Sequence, residues 1–515
     1  MDSGARWRNG GLLLILAAAA ALYAVFIART AFRVAGITYF TLIDDAMVSM
    51  RYAQHLARGF GLVWNIGQAP VEGFTNPAWT LLMSLFHLLP LPASKVSAAV
   101  MVLSALILLA NILIVYRVCR IIQPVSAFPA LMAAGLTAFY FPLIFWSLRG
   151  MEVGLLTLLL DAAALLVVRH SHNRLDAILL GLVVALGVLT RLDALIPVLI
   201  ILGYLVVTGL PRSRLLVPLV LVIAALAVVL AFQRLYFGDF LPNTYYQKMV
   251  GVAVWERIRN GVLAFYQYAL WDTALPAVLS AAALVLYKDL RRPQTFLLAL
   301  LFAAQCAYSV WVGGDYAEPE VNAANRFITQ GMPALMILFS VCVYRFLNDP
   351  RLHLPDRRAL ASTIEVGIAI LALAVMSGRP WLAWMRDNAP LLQADVRRTR
   401  LGLVIARNTA PGAVIAVHAA GQIPYYSDRT SVDLLGLNDP FVARGPVTGP
   451  FYPGHDKWNY EYSILELRPD LVADNWIKLP AFMKEQQGYV RLDNGMYLRR
   501  DSTLVNVPGL LRQTP

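Results

Sequence analysis

Cysteine is nearly missing from this chain: three residues in 515, and none beyond Cys342. Cys119, Cys306 and Cys342 fall in or beside apolar runs, so no disulfide framework is implied. Charge is scarce as well, at 14% of residues, against about 25% in soluble chains. That shortage excludes a disordered protein and an ordinary water-soluble enzyme. The sequence has no His-x-x-x-His, no Cys-x-x-Cys and no Walker-type glycine loop, which disfavours a zinc enzyme and an ATPase. It also lacks basic stretches interleaved with aromatics, so nucleic acid is not an expected partner.

What the chain has instead is long apolar runs. Hydrophobic residues make up 59% of it, and the mean hydropathy is +0.61. Residues 11–28, 96–118 and 215–232 approach or exceed the length of about 20 residues that crosses a bilayer. The expected fold class is a polytopic α-helical membrane protein. Its net charge of +12 fits that reading, since Lys and Arg are retained on cytoplasmic loops.

Arg6 and Arg8 precede the first apolar run and put the N-terminus in the cytoplasm. The run reads as a retained span rather than a signal peptide, because no clean cleavage site follows it. Further spans are expected at 96–118, 125–146, 153–168, 177–189, 194–207, 215–232, 274–287, 295–312, 328–344 and 360–376. Residues 77–91 are apolar but short, which suits a re-entrant or interfacial helix. That makes about eleven spans and an extracytoplasmic C-terminus. His170 and His172 fall among cytoplasmic basic residues and read as solvated.

From 378 the hydrophobic runs shorten to strand length, as at 413–420 and 471–473, and turn signals appear. Asp493-Asn494-Gly495 between two short apolar segments predicts a hairpin. The chain therefore divides into a membrane part, 1–377, and a small extracytoplasmic α/β domain, 378–515. No internal repeat is evident. His418 is expected inside a strand of that domain, as a structural histidine.

The informative segment follows the first span. From Ile43-Asp44-Asp45 to Leu56-Ala57 the pattern is that of a short amphipathic helix with two carboxylates at its N-terminus, where the helix dipole favours them. One carboxylate is explained by capping. Two adjacent ones beside hydrocarbon suggest a site. Shaped loops with Gly, Asn, Pro and Trp follow, at 59–65 and 70–79.

These residues resemble the GT-C superfamily of membrane glycosyltransferases, and within it the actinobacterial arabinofuranosyltransferase B type. The likeness rests on Ile43-Asp44-Asp45, Arg51, Leu56-Ala57, the 65–72 loop and Trp79-Thr80. It continues through Tyr236-Phe237-Gly238, Leu241-Pro242-Asn243-Thr244, Lys248 and Val312-Gly313-Gly314-Asp315. It ends in Asp433-Leu434-Leu435-Gly436-Leu437-Asn438-Asp439-Pro440. The spacer between Asp315 and Arg326 is longer than in that type. The resemblance implies transfer of a sugar, possibly arabinofuranose, from a polyprenyl-phosphate donor to a cell-envelope glycan or glycolipid. The reaction would take place on the extracytoplasmic face of a bacterial inner membrane.

Such chemistry needs a base for the acceptor hydroxyl and cations for the leaving phosphate. Asp44 is the expected base, with Asp45 beside it; two close carboxylates push one pKa towards a value useful for proton transfer. Arg149, Arg191, Lys248 and Arg326 are the candidates for the donor phosphate. Arg191 ranks first, with an ion pair to Asp193 as the competing reading. Lys248, after Tyr245-Tyr246-Gln247, could also simply snorkel. Glu72, Asn76, Asp239, Asn243, Tyr245 and Asp315 are candidates for sugar or acceptor contacts. The metal is left unknown: a divalent cation is possible, and no cofactor is certain. Two alternatives stand beside this reading: a transporter or flippase for an envelope lipid, to which Asp161 inside a span would belong, and a hexose transferase acting on protein.

Overall fold

The computed structural model describes residues 3–169, 173–209, 212–351 and 357–513. His170 and His172 lie outside the described residues. The chain forms two compact units.

The first unit comprises Met1–Arg29, Met101–Val228 and Arg257–Pro390, and its described elements are all helices. Across the described residues of the chain, six helices are long and apolar enough to cross a membrane, or seven if a bent pair counts as one. Shorter apolar helices lie over other expected spans, at Val153–Val168, Leu192–Val207 and Met332–Leu347, and the helix Arg174–Thr190 lies over the one expected at 177–189. The bent pair corrects the single span expected at 125–146. Phe128–Phe139 and Phe141–Leu148 meet at 48°, with Tyr140 extended between them and Pro142 in the first turn of the second helix. Proline offers no N–H to the preceding turn and its ring crowds the carbonyl four residues back, so the first helix stops and a new one starts with Pro142 in its first turn. A second correction concerns the span expected at 274–287. The helix begins at Val254 and runs to Leu286, through a stretch whose Arg, Asn and Tyr residues hide it from a hydropathy reading.

The core of this unit is Val, Leu and Ala packed between helices, with Cys119 and Cys342 buried in it. All three cysteines are free. The helix Arg357–Asp387 passes straight through residue 378, so the point at which the sequence changes character is not a break in secondary structure.

The second unit comprises Thr30–Val100, Val229–Glu256 and Leu391–Pro515. A hairpin, β1 (Phe32–Val34) and β2 (Ile37–Tyr39), precedes the helix Asp44–Ala57. The sheet contains β3 (Val414–Val417), β4 (Thr430–Asp433), β5 (Leu471–Val472), β6 (Tyr489–Arg491) and β7 (Tyr497–Arg499), in the order β4-β3-β5-β7-β6. β3 runs parallel to both β4 and β5, while β7 is antiparallel to β5 and β6. The β6–β7 hairpin pairs Tyr489 with Arg499, as the Asp-Asn-Gly turn signal predicts.

Side chains alternate across a sheet, and here each face has its own core. Ile415, Val417 and Leu471 pack with Val48, Tyr52, Trp64 and Phe74 on one face. Ala416, Val432 and Val472 pack with Trp458, Ile464 and Tyr497 on the other. The segment after the first apolar helix is thus a structural layer of the same unit as the sheet.

Candidate active site

The helix Asp44–Ala57 starts without a side-chain cap, and both carboxylates lie in its first turn. Asp44 is turned towards the loop after β3. Its Oδ1 accepts hydrogen bonds from the backbone amides of Gly421 (3.2 Å) and Gln422 (3.1 Å), at the start of the short helix Gln422–Ser427. The Gln422 amide group donates to the Leu42 carbonyl (3.0 Å) and to Asp395 Oδ1 (2.9 Å). Arg398 stands 3.7 Å from Asp395. Burial pushes the Asp44 pKa up to about 6. The Arg398 guanidinium and the Gln422 amide oppose the rise, and the Asp395 and Asp45 carboxylates add to it.

No side chain fits at Gly421. A β-carbon there would fall 2.2 Å from the Asp44 carbonyl oxygen and 2.7 Å from its Oδ1. Gly421→Ala is therefore expected to push Asp44 out of place. Activity should fall at least tenfold while the protein still elutes as a folded monodisperse species. Wild-type turnover in that variant would show that this contact does not position Asp44.

Around Asp45 and Lys248 lies a loop that sequence reasoning missed. Gln247 donates to the Gly454 carbonyl, and a β-carbon on Gly454 would come within 2.9 Å of Lys248 Cε. The next residue, His455, is held down to a pKa of about 4, chiefly by burial. Asp45 acts to raise it, and Lys248 and His418 to lower it. Its ring packs on Trp476 and Tyr452, with centroids 5.4 and 5.1 Å away.

His418 is not inside a strand as expected. It follows Val417, the last residue of β3, and its Nδ1 lies 2.9 Å from Asp474 Oδ2. Asp395, Arg398, Gln422, His455 and Asp474 carry no spacing signal that would have singled them out. Only the rule that sites form at the carboxyl ends of parallel strands points to one of these positions, Asp474, together with His418.

The other candidates of this unit are engaged with their surroundings. Glu72 is buried, with Oε2 accepting from Gln233 (2.9 Å). Burial pushes its pKa up to about 8, against that hydrogen bond, which leaves it largely neutral at pH 7. Asn76 Oδ1 accepts from Ser49 and Thr80. Asn243 donates to the Gly436 and Leu437 carbonyls. Asp239 accepts from Tyr246 (2.9 Å) and Arg444 (2.5 Å). Tyr245 is exposed and meets the Tyr246 ring edge-on.

The remaining candidates belong to the first unit. Arg191 is extended backbone between two helices and pairs with Glu152 at 2.8 Å and Asp193 at 2.6 Å. Arg326 pairs with Asp315 at 2.8 Å, and Arg149 is fully buried. Glu318 fastens the glycine loop before Arg326, accepting from the Asp315 amide (2.9 Å) and from Asn325 (2.7 Å). Burial raises its pKa to about 8, with Asp315 adding to the rise and the two hydrogen bonds opposing it. Among the described residues, no group of three His, Cys, Asp or Glu side chains is arranged to hold a metal ion.

Comparison with known proteins gives a fold. ArnT from Cupriavidus metallidurans bound to undecaprenyl phosphate superposes with a TM-score of 0.54. The match covers 82% of this chain and 86% of that one at 14% identity. The Archaeoglobus fulgidus oligosaccharyltransferase in the apo form gives 0.55 over 86% of this chain and 66% of that chain, at 16% identity. The oligosaccharyltransferase AglB from Archaeoglobus fulgidus, in complex with an inhibitory peptide and a dolichol-phosphate, gives 0.57 over 96% and 74%, at 13% identity. The chain has the GT-C fold. A profile for a domain of unknown function (DUF8728) matches residues 388–505. No curated protein matches the sequence.

Proposed function

We propose that this chain is a membrane glycosyltransferase that moves a sugar from a polyprenyl-phosphate donor to an envelope glycan or glycolipid, with Asp44 as general base. The observation that carries this is a half-buried carboxylate on a GT-C fold, opening the helix that follows the first apolar helix and a short hairpin, with its pKa raised to about 6. A base works best when its pKa lies near the working pH. ArnT and AglB have been seen with undecaprenyl phosphate and dolichol-phosphate, and the same class of carrier is the donor proposed here.

In the reaction, Asp44 takes the proton of the acceptor hydroxyl as its oxygen bonds to the anomeric carbon. The bond from that carbon to the phosphate oxygen breaks, and the polyprenyl phosphate leaves with the electron pair. Lys248 supplies a positive charge in the neighbourhood of Asp45, where the growing phosphate charge would be met. Arg149, Arg191 and Arg326 are further candidates for the donor phosphate, the last two already holding carboxylates. The transferred sugar is proposed to be a pentofuranose, and the face the extracytoplasmic one of a bacterial inner membrane.

The test is transfer from radiolabelled polyprenyl-phosphate-arabinose, -mannose or -glucose to envelope glycan by purified protein in detergent. Arg398 gives a second handle. Its guanidinium lowers the Asp44 pKa, so Arg398→Gln should raise that pKa and move the acidic limb of the rate profile to higher pH. A limb that stays in place would remove Arg398 from the electrostatics of the base.

A transport reading draws on Asp161, buried within Val153–Val168 with Oδ2 making no hydrogen bond among the described residues. Buried intramembrane carboxylates often serve ion or substrate paths. Lack of transfer from all three donors by folded protein would favour it.

A further inference from the structure

In open α/β sheets, ligands bind in the crevice at the carboxyl ends of parallel strands where the strand order reverses. In this sheet that point is between β3 and β5. The chain leaves β3 towards β4 on one side, and leaves β5 towards β7 and β6 on the other. His418 is the first residue after β3, and Asp474 comes two residues after β5. Their side chains meet across the crevice at 2.9 Å.

A cavity of about 340 Å³ opens at this point, lined by Arg397, Arg398, His418, Asp474, Asn475 and Asn494 among others. That is at the small end of the range for ligand pockets, about 300–1,000 Å³. Asp474 Oδ2 faces the Nδ1 of His418, and the ring's Nε2 lies 3.5 Å from Arg398 Nη2. Beside the dyad, Trp476 lies against the His418 ring at 5.1 Å. Its indole Nε1 is buried and makes no hydrogen bond among the described residues.

The lining thus alternates donors and acceptors: guanidinium, carboxylate and two amides, with an aromatic ring alongside. A sugar ring presents the complementary set, because each hydroxyl both donates and accepts. A phosphate would face Asp474 as well as the arginines. We propose that this crevice is the subsite that holds the acceptor glycan, by hydrogen bonds to neighbouring hydroxyls of a neutral sugar unit. The inference rests on the glycosyltransferase reading for the word acceptor.

The crevice and the proposed base share parts. The four residues 418–421 run from β3 to the amide that holds Asp44, and Arg398 faces the dyad on one side and Asp395 on the other. A glycan seated there would bring its next hydroxyl to the base.

The test uses the full-length protein in detergent, with an arabinofuranose oligosaccharide, a mannose oligosaccharide and inorganic phosphate as separate titrants in calorimetry. The variants are Arg397→Gln and Asn475→Ala, at two exposed positions. The expected result is oligosaccharide binding that weakens about tenfold in each variant. In transfer assays the acceptor KM should rise by the same factor while kcat at saturating acceptor stays within twofold. Equal oligosaccharide affinity in wild type and variants would overturn the proposal, as would binding of inorganic phosphate in place of both sugars. Variant-sensitive sugar binding without transfer from any donor would sustain the crevice and overturn the enzymatic reading.

Discussion

Asp44→Asn should abolish sugar transfer, with kcat down by about 10²- to 10⁴-fold, the usual contribution of a positioned general base. Asparagine keeps an oxygen that can accept from the Gly421 and Gln422 amides, so the loop after β3 should hold its place. What is lost is the ability to take a proton. The wild-type rate should also depend on pH in a definite sense. The base works ionised, and its pKa is raised to about 6. Activity is then full above that value and falls as pH drops through it, tenfold per unit further down. Asp45→Asn is the informative partner. The Asp45 charge raises the Asp44 pKa, so removing it should shift the acidic limb to lower pH. Steady-state rates between pH 4.5 and 8 check all three statements. Near-normal turnover by Asp44→Asn would end the assignment of this residue as base.

Arg51→Ala should leave little folded protein. Arg51 is 1% exposed and is surrounded by acceptors. It donates to the Trp64 carbonyl at 2.5 Å and to the Pro424 carbonyl, to Asn65 Oδ1 at 3.0 Å and to the Arg429 carbonyl at 2.8 Å. Burial lowers its pKa to about 10, against the charge of Asp428, and it stays protonated at neutral pH. Removing it strands several buried carbonyls, each at about 1–3 kcal/mol. The sum is comparable to the whole stability of many domains. Arg51→Lys should recover only part, because an ammonium cannot reach four acceptors in a plane. The thermal midpoint in detergent, followed by size-exclusion recovery, reads this directly. An Arg51→Ala midpoint within a couple of degrees of wild type would refute the role.

Arg51 also shows what a sequence can and cannot tell. It was part of the motif that pointed to GT-C glycosyltransferases, yet its partners here are three main-chain carbonyls and the Asn65 side chain, all of its own unit. Asn76, Asn243 and Asp239, expected to contact sugar or acceptor, likewise make hydrogen bonds that fasten helices and loops. Local signals were easy to read. Two carboxylates before an amphipathic run gave the helix at Asp44–Ala57, and Asp-Asn-Gly gave the β6–β7 hairpin. The break at Tyr140 was missed because the sequence stays apolar across it, and the early start at Val254 because polar residues there lower the hydropathy. Asp395, Arg398 and Gln422 were missed for a different reason. They lie about 350 residues or more from Asp44 along the chain, and nothing in their own neighbourhoods distinguishes them.

The contact between Asp44 and the loop after β3 has a consequence for how the protein comes into being. Gly421 and Gln422 follow Asp44 by 377 and 378 residues. At a synthesis rate of about 5–20 residues per second, the helix bearing Asp44 waits roughly 20 to 75 s for the amides that hold it. Through that interval every apolar helix between them has to be inserted, while Val48, Tyr52, Trp64 and Phe74 have no sheet to cover them. A nascent chain caught in that window would carry Asp44 and Asp45 without the amides that hold Asp44 in place. Competence would arrive abruptly, with the last quarter of translation.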